Sequence, residues 1–191
     1  MKKSLLFTAL IMFAVSVSAQ KLVGNISPLK SQKEVNLVLD FSKTLVNGKA
    51  ESKYIAEETK GKNATEKEKW LSEWNEKLRA DTYAVLTKDL NKAVSKWFSV
   101  GDFPDAEHTI IVKVKEITTG FYAGPFAKQS AVKADVSFVK TGTTKSFATI
   151  EFKKASSKIS HTVPYFVSRI AMSFGTLGDN MGKVMSKSLK K

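Results

Sequence analysis

The chain contains no cysteine, and this absence excludes several classes of protein at once. Disulfide-stapled folds, zinc sites built on thiolates and cysteine nucleophiles are all ruled out. A bacterial lipoprotein carries its lipid on a cysteine directly after the cleavage site, so lipid anchoring through an N-terminal Cys is excluded as well. Stability must therefore come from an apolar core, which a chain of 191 residues is long enough to bury.

Arginine is nearly as scarce, although the chain is strongly basic. Lysine and arginine together number 31 against 18 acidic residues, a formal net charge of +13, but only Arg79 and Arg169 are arginines. Arginine reads bases and phosphates through two parallel hydrogen bonds, so no specific nucleic-acid partner is expected. A lysine-rich surface is typical of general solubility, or of contact with an anionic glycan or lipid surface.

Long apolar runs are also missing, except for one at the start of the chain. Two lysines precede an apolar stretch over residues 5–17, and Ala19 completes a small-x-small cleavage pattern. The stretch is shorter than the ~20 residues that a membrane helix needs. We interpret residues 1–19 as a signal peptide with no transmembrane segment after it, and we expect an exported protein, periplasmic or secreted.

Catalytic motifs are missing too. The two histidines, His108 and His161, have no second ligand at metal-binding spacing, and neither a Gly-x-Ser-x-Gly elbow nor a phosphate-binding glycine loop occurs. The chain is therefore predicted to be non-enzymatic, with no catalytic residue, metal or cofactor. One alternative stays open: a carbohydrate- or peptidoglycan-active enzyme with a site assembled from dispersed acids and Tyr122 in the 120–128 loop.

What the sequence does contain is a clear series of secondary-structure patterns. Alternating apolar residues predict four strands, at residues 35–41, 109–119, 130–140 and 145–154. A helix follows the first strand and another follows the last. This order predicts an α+β fold, a two-layer sandwich in which a four-stranded mixed sheet carries both helices on one face. Residues 20–191 are expected to form a single domain that begins with an extended arm, residues 20–34.

The two predicted helices have distinct signals. The first spans residues 65–98, opens with a capping box at Thr65–Glu68 and is expected to kink near residues 79–82. The C-terminal helix begins at Ser160 or Thr162, with Pro164 in its first turn. It carries a stripe of small residues, Gly175, Gly178 and Gly182. The stripe predicts either close packing against the long helix or the sheet, or a contact between subunits.

Several of these segments together carry a resemblance to known proteins. The first strand reads VNLVLDFS, the tryptophan-rich helix contains Leu90-Asn91, and Gly101 precedes the second strand. That strand ends in Thr118-Thr119-Gly120, and a Thr-Gly hairpin comes before the last helix. The pattern resembles small exported bacterial proteins whose core is similar to the TolB N-terminal domain and the curli-secretion lipoprotein core. The resemblance implies an envelope-associated, non-enzymatic role and transfers no catalytic residue.

The sheet face opposite the helices is the candidate binding surface. By alternation it carries apolar residues, Ile117 among them, mixed with lysines, and large apolar groups on such a face can mark a partner site. The candidate binding residues are Val38, Ile111, Lys113, Lys115, Lys133, Val139, Phe147 and Lys153. Either this patch is exposed and binds another envelope protein or an anionic surface, or it is covered by residues 20–34 or by the 120–128 loop.

Overall fold

The computed structural model describes residues 20–157 and 159–191, so the predicted signal peptide, residues 1–19, lies outside the described residues. The helices are α1 (Glu51–Glu58), α2 (Ala64–Ser72), α3 (Leu78–Val94) and α4 (Phe166–Leu189). The longer strands are β2 (Glu34–Asp40), β6 (His108–Thr118), β7 (Ala131–Lys140) and β8 (Ser146–Ala155). The short strands are β1 (Leu22–Gly24), β3 (Leu45–Val46), β4 (Lys49–Ala50) and β5 (Ser99–Gly101). The fold is α+β with a mixed sheet, as predicted.

The predicted count of four strands is wrong, because the sheet has eight. Its main path runs β1-β8-β7-β6-β2-β5, and β3 and β4 form a small hairpin attached to β6. The four predicted strands are the long ones, and β2 pairs parallel with β6 through the expected helical crossover. The missed strands have two or three residues each, too few to display an alternating pattern.

The N-terminal arm is more ordered than the sequence predicted. Instead of remaining extended and separate, it pairs as β1 with the edge of β8 and then forms a 3₁₀ turn over Ser27–Ser31. Ile26 and Leu29 are fully buried and belong to the core. Two apolar side chains in a polar segment give no period, so their burial could not be read from the sequence.

The long helix is one helical run from Ala64 to Val94, and its irregularity lies earlier than predicted. A π-helical turn occupies Glu73–Lys77, between α2 and α3, in place of the kink expected at residues 79–82. The π turn buries Trp74 completely, and the indole Nε1 donates to Glu51 Oε1 at 2.7 Å. Such turns change which side chains face the core without breaking the helix.

Helix ends also differ from the predictions. The capping box is formed by Asn63 and Glu66, two residues before the predicted Thr65–Glu68 pair, because the helix starts earlier. Residues 160–162 form a separate 3₁₀ turn, and α4 begins only at Phe166, so Pro164 precedes the helix.

Helices α3 and α4 pack closely together, and α4 also contacts β7 and β8. The small-residue stripe of α4 lies against α3. A Cβ atom added at Gly178 would lie 2.4 Å from the carbonyl oxygen of Leu86, so only glycine fits this crossing. The prediction of close packing against the long helix is confirmed.

Candidate functional site

The sheet face opposite the helices presents two rows of side chains across the strands. The first row runs through Val38 on β2, Ile111 on β6, Ser137 on β7 and Thr149 on β8, and continues to Val23 on β1. We call this surface the outer face. Val38 is 42% exposed and Val23 is 62% exposed, so the row combines apolar groups with small hydroxyl groups in contact with solvent.

The second row is charged and lies directly beside the first. Asp40, Lys113, Asp135 and Glu151 are successive cross-strand neighbours. Lys115 Nζ lies 2.8 Å from Asp135 Oδ1 and 3.4 Å from Glu151 Oε1. The hydrogen bond that Lys115 donates to Asp135, and after it the one to Glu151, raises the pKa of Lys115, which stays charged. Exposed pairs of this kind add little to stability, so the row mainly fixes the charge pattern of the outer face.

A β-bulge at Lys115 changes which side chains reach the outer face. The β6–β7 register shifts between Val114 and Glu116, so Lys115 is an extra residue and the alternation inverts after it. Glu116 therefore faces the same side as Lys115, the outer face, where its carboxylate accepts a hydrogen bond from Lys133 Nζ at 2.5 Å. Ile117, predicted on the outer face, is instead fully buried opposite Val132.

Two of the predicted binding residues, Val139 and Phe147, do not add exposed surface to the outer face. Val139 lies beside Thr109 and is only 2% exposed, at the end of the face where the segment 102–107 is hydrogen-bonded to the sheet. That segment is held by the Phe103 N–H, which donates to Asn36 Oδ1 at 3.1 Å, and by Thr141 Oγ1, which donates to the Ala106 carbonyl oxygen at 2.6 Å.

Phe147 is the second residue whose predicted position is wrong. The β7–β8 register shifts between Phe138 and Val139, which leaves Phe147 as the extra residue of a second bulge. Its ring packs edge-on against His108, with centroids 5.4 Å apart, and also against Phe138. Both neighbours are buried, so Phe147 turns toward the core and away from the outer face.

The other six predicted residues do share one exposed or half-exposed surface. They are Val38, Ile111, Lys113, Lys115, Lys133 and Lys153. Residues 20–34 lie along the β8 edge and against α4, so they do not cover this surface. The 120–128 loop extends beyond the end of β6 and also leaves Val38 exposed.

The sequence predicted that loop only as part of an alternative enzyme site or as a cover for the sheet face, and its exposed aromatic surface was missed. Its main chain closes on itself through a bridge between Phe121 and Lys128, with N–H to carbonyl oxygen distances of 3.0 and 2.9 Å. Phe121, Tyr122 and Phe126 are 46%, 52% and 79% exposed, and Phe126 is the most exposed large apolar residue described. We call residues 121–128 the aromatic tip. The sequence did contain a signal for this surface, namely three aromatic residues in a loop between two strands that also contains glycine and proline.

The N-terminal side of the aromatic tip is held in place by hydrogen bonds between Thr119 and the side chains of Asn47 and Arg169. The N–H of Thr119 donates to Asn47 Oδ1 at 3.0 Å, and Arg169 Nε donates to the Thr119 carbonyl oxygen at 3.0 Å. Arg169 Nη1 also donates to the carbonyl oxygens of Val163 and Pro164, each at 2.8 Å. Arg169 is 6% exposed, and burial lowers its pKa, so these three carbonyl oxygens replace the water it has lost.

The second end of the tip is held by buried serines. Ser130 N–H donates to Ser160 Oγ at 3.0 Å, and the Ser130 hydroxyl lies 2.5 Å from Ser173 Oγ on α4. Between the two ends, Gly120 has a φ of +63°, and a Cβ there would lie 2.4 Å from the Lys128 carbonyl oxygen. The base of the aromatic tip is therefore fixed to α4 while its side chains face solvent.

Among the described residues, no group of three or more His, Asp or Glu side chains could hold a metal ion. Hydrogen bonds from Ser42 lower the pKa of Asp40, and Lys49 lowers that of Glu57, the direction opposite to that of a general acid. Tyr122 is exposed on the aromatic tip. None of the helices described has the length and apolarity of a membrane span.

Comparison with known proteins gives distant similarities only. No protein-family model matches the chain, and no curated protein matches its sequence. Among solved structures, it is similar to a PelC dodecamer from Paraburkholderia phytofirmans, with a TM-score of 0.44 and 8% identity, over 87% of this chain and 96% of that one. A leucine-to-methionine variant of that protein gives a TM-score of 0.42 and 9% identity, over 88% and 95% of the two chains. Likenesses at this level support no assignment of family or function.

Proposed function

We propose that this chain is an exported, non-enzymatic interaction module of the bacterial cell envelope, which binds another envelope protein through its outer face. The observation that carries the proposal is the half-apolar row beginning at Val38 and Ile111, which none of the described segments of the chain covers completely. A solvated face has no need of such a row, whereas a partner would bury it. We propose further that the core is related to the TolB N-terminal domain and the curli-secretion lipoprotein core.

The charged row supports a protein partner rather than a uniform polyanion. Asp40 faces Lys113 across the sheet, and Lys115 is shared by Asp135 and Glu151. Both signs therefore alternate beside the apolar row, a pattern that a partner with the complementary alternation would recognise and a simple anionic surface would not. The apolar row contributes burial, and the charged row fixes the orientation of the partner.

A site-specific photo-crosslinker gives the first test. We place it at Val38 on the outer face and, as a control, at Lys88, which is exposed on α3 on the helix side of the molecule. In the native envelope fraction, position 38 should give a discrete adduct that position 88 does not give. Identical adducts from both positions, or none from either, would contradict binding through the outer face.

The second test uses the partner identified in this way, as a purified protein. The double variant Val38→Thr, Ile111→Thr keeps the β-branched shape of both residues but removes apolar surface from the row. We expect it to weaken binding measured by calorimetry about tenfold, since roughly two side chains' worth of apolar contact is reduced. Lys88→Glu should leave the affinity unchanged. An unchanged affinity in the double variant would refute the assigned surface.

A further inference from the structure

We propose that the aromatic tip is a second binding site, which inserts into the interface of a membrane that contains anionic lipids. Phe121, Tyr122 and Phe126 are all exposed within six residues of chain. Exposed aromatic side chains gathered in one place are unusual on a soluble surface and mark a contact with an apolar phase or partner. This site lies beyond the end of β6 and is separate from the outer-face row of Val38 and Ile111.

The rigidity of the base supports a role for the exposed side chains. Thr119 and Ser130, which flank the loop, are both hydrogen-bonded to buried groups, Arg169 and Ser173, on α4. Burying an arginine and several hydroxyl groups is costly unless each is fully bonded. The structure makes those bonds at the base of a loop in which Phe121, Tyr122 and Phe126 remain 46%, 52% and 79% exposed, so the base holds these rings in a fixed position toward solvent.

The charged residues around the aromatic tip indicate that its apolar partner is an anionic membrane. Lys128, Lys133 and Lys154 line a hollow of about 540 Å³ beside the tip, together with Thr118 and Ala127. Lys133 is paired with Glu116, but among the described residues none forms an ion pair with Lys128 or Lys154. Two unpaired lysines next to exposed aromatic rings suit the phosphate headgroups and acyl boundary of an anionic bilayer.

A third group of observations extends the apolar surface at this end. Ile159 is 59% exposed, and it precedes Ser160, whose hydroxyl accepts the N–H of Ser130 at the base of the tip. Phenylalanine and isoleucine have no polar group with which to bind a sugar. The fully apolar side chains of Phe126 and Ile159 therefore favour lipid over an anionic glycan, whose hydroxyl and acidic groups they could not hydrogen-bond.

The test measures binding of the purified, processed protein to vesicles by flotation. We compare vesicles of equal parts phosphatidylglycerol and phosphatidylcholine with vesicles of phosphatidylcholine alone. Binding should require phosphatidylglycerol and should fall as salt is added. Phe126→Ser should weaken it about tenfold, because a largely exposed phenylalanine is lost from the apolar contact. Lys128→Glu should weaken it by about fivefold or more.

Matched controls separate the tip from net charge. Lys113→Glu makes the same charge change on the outer face and should have much less effect than Lys128→Glu. No binding to either vesicle, or equal weakening by Lys113→Glu and Lys128→Glu, would overturn the proposal. Binding to heparin that is lost in Phe126→Ser, without binding to vesicles, would assign the tip to an acidic glycan and would overturn it as well.

A fluorescence-labelling experiment measures insertion of the aromatic tip into the membrane without mutating Phe126. Because the chain has no cysteine, Ala123→Cys places a single environment-sensitive fluorophore in the exposed part of the tip. Phosphatidylglycerol-containing vesicles should shift its emission to the blue, and the same fluorophore at Val38→Cys should not respond. Equal responses at the two positions would show that the tip is not the part that inserts.

Discussion

Replacing Gly178 by alanine tests the packing of α4 on α3 with a single methyl group. The added Cβ would lie 2.4 Å from the carbonyl oxygen of Leu86 and 3.2 Å from its C and Cα atoms. All three are main-chain atoms, so no side-chain rotation relieves the contact. The two helices would have to move apart by roughly 1 Å to restore a normal van der Waals distance.

The magnitude follows from two opposing effects. Overpacking of a closed core costs about 1–3 kcal/mol, and the upper part of this range applies because the neighbour is main chain. Leu86, Leu177 and Met181 are fully buried and would lose contacts as the helices separate. Alanine returns about 1 kcal/mol through its higher helix propensity. The net expectation is a loss of about 2 kcal/mol in the free energy of unfolding.

Urea denaturation of the purified protein measures this loss. With a slope of about 2 kcal/mol per molar urea, the midpoint should fall by about 1 M. Gly175→Ala is the matched control, because its Cβ meets side-chain atoms, Asp89 Oδ2 at 2.6 Å and Val85 Cγ1 at 2.7 Å, so a small adjustment can relieve the contact without displacing the main chain of α3. We expect Gly175→Ala to lie within about 0.5 kcal/mol of the wild type. A midpoint for Gly178→Ala that is unchanged or raised would refute the reasoning.

Three further predictions concern other parts of the chain. Asn91→Ala should destabilise the protein by about 1–3 kcal/mol in urea, because the Asn91 amide bonds both the N–H and the carbonyl of Val100, at 2.8 and 2.7 Å; exposed Asn75→Ala should have almost no effect. Burial raises the pKa of Tyr54 to about 12, so the unfolded chain ionises first and stability should be lost as the pH rises from 10 to 12, by about 2–3 kcal/mol. Tyr54→Phe should show a smaller loss over the same range, and equal losses would exclude Tyr54 as the cause. Mass spectrometry of the exported protein should find Gln20 as its first residue, and retention of residues 1–19 would contradict the predicted signal peptide.

The long strands and both helices were predictable because each must bury one face. Val35, Leu37 and Leu39 alternate on β2, and the helical spacing of Leu86, Leu90 and Val94 on α3 is equally regular. The short strands were not predictable. β1 and β5 have three residues each and gain their place from pairing with neighbours that are distant in sequence, which a local pattern cannot reveal.

The candidate site was predictable only as far as its alternation continued without interruption. Val38, Ile111 and Lys113 precede any bulge and lie where the pattern placed them. Beyond the extra residue at Lys115, the alternation inverts and Ile117 moves to the core. An inserted residue leaves no mark in composition: Lys115 and Glu116 are both polar, and the pattern could not show that both face outward.

The anchoring of Arg169 has a consequence for the conditions under which the protein works. An arginine held by a carboxylate would lose its partner in acid, when the carboxylate takes up a proton. Arg169 is held by the carbonyl oxygens of Thr119, Val163 and Pro164, which do not titrate in this range. The hydrogen bonds by which Arg169 links α4 to the loop after β6 should therefore not weaken when the pH falls. If the chain is exported, as we propose, this part of the structure would keep its shape when the surroundings become acidic.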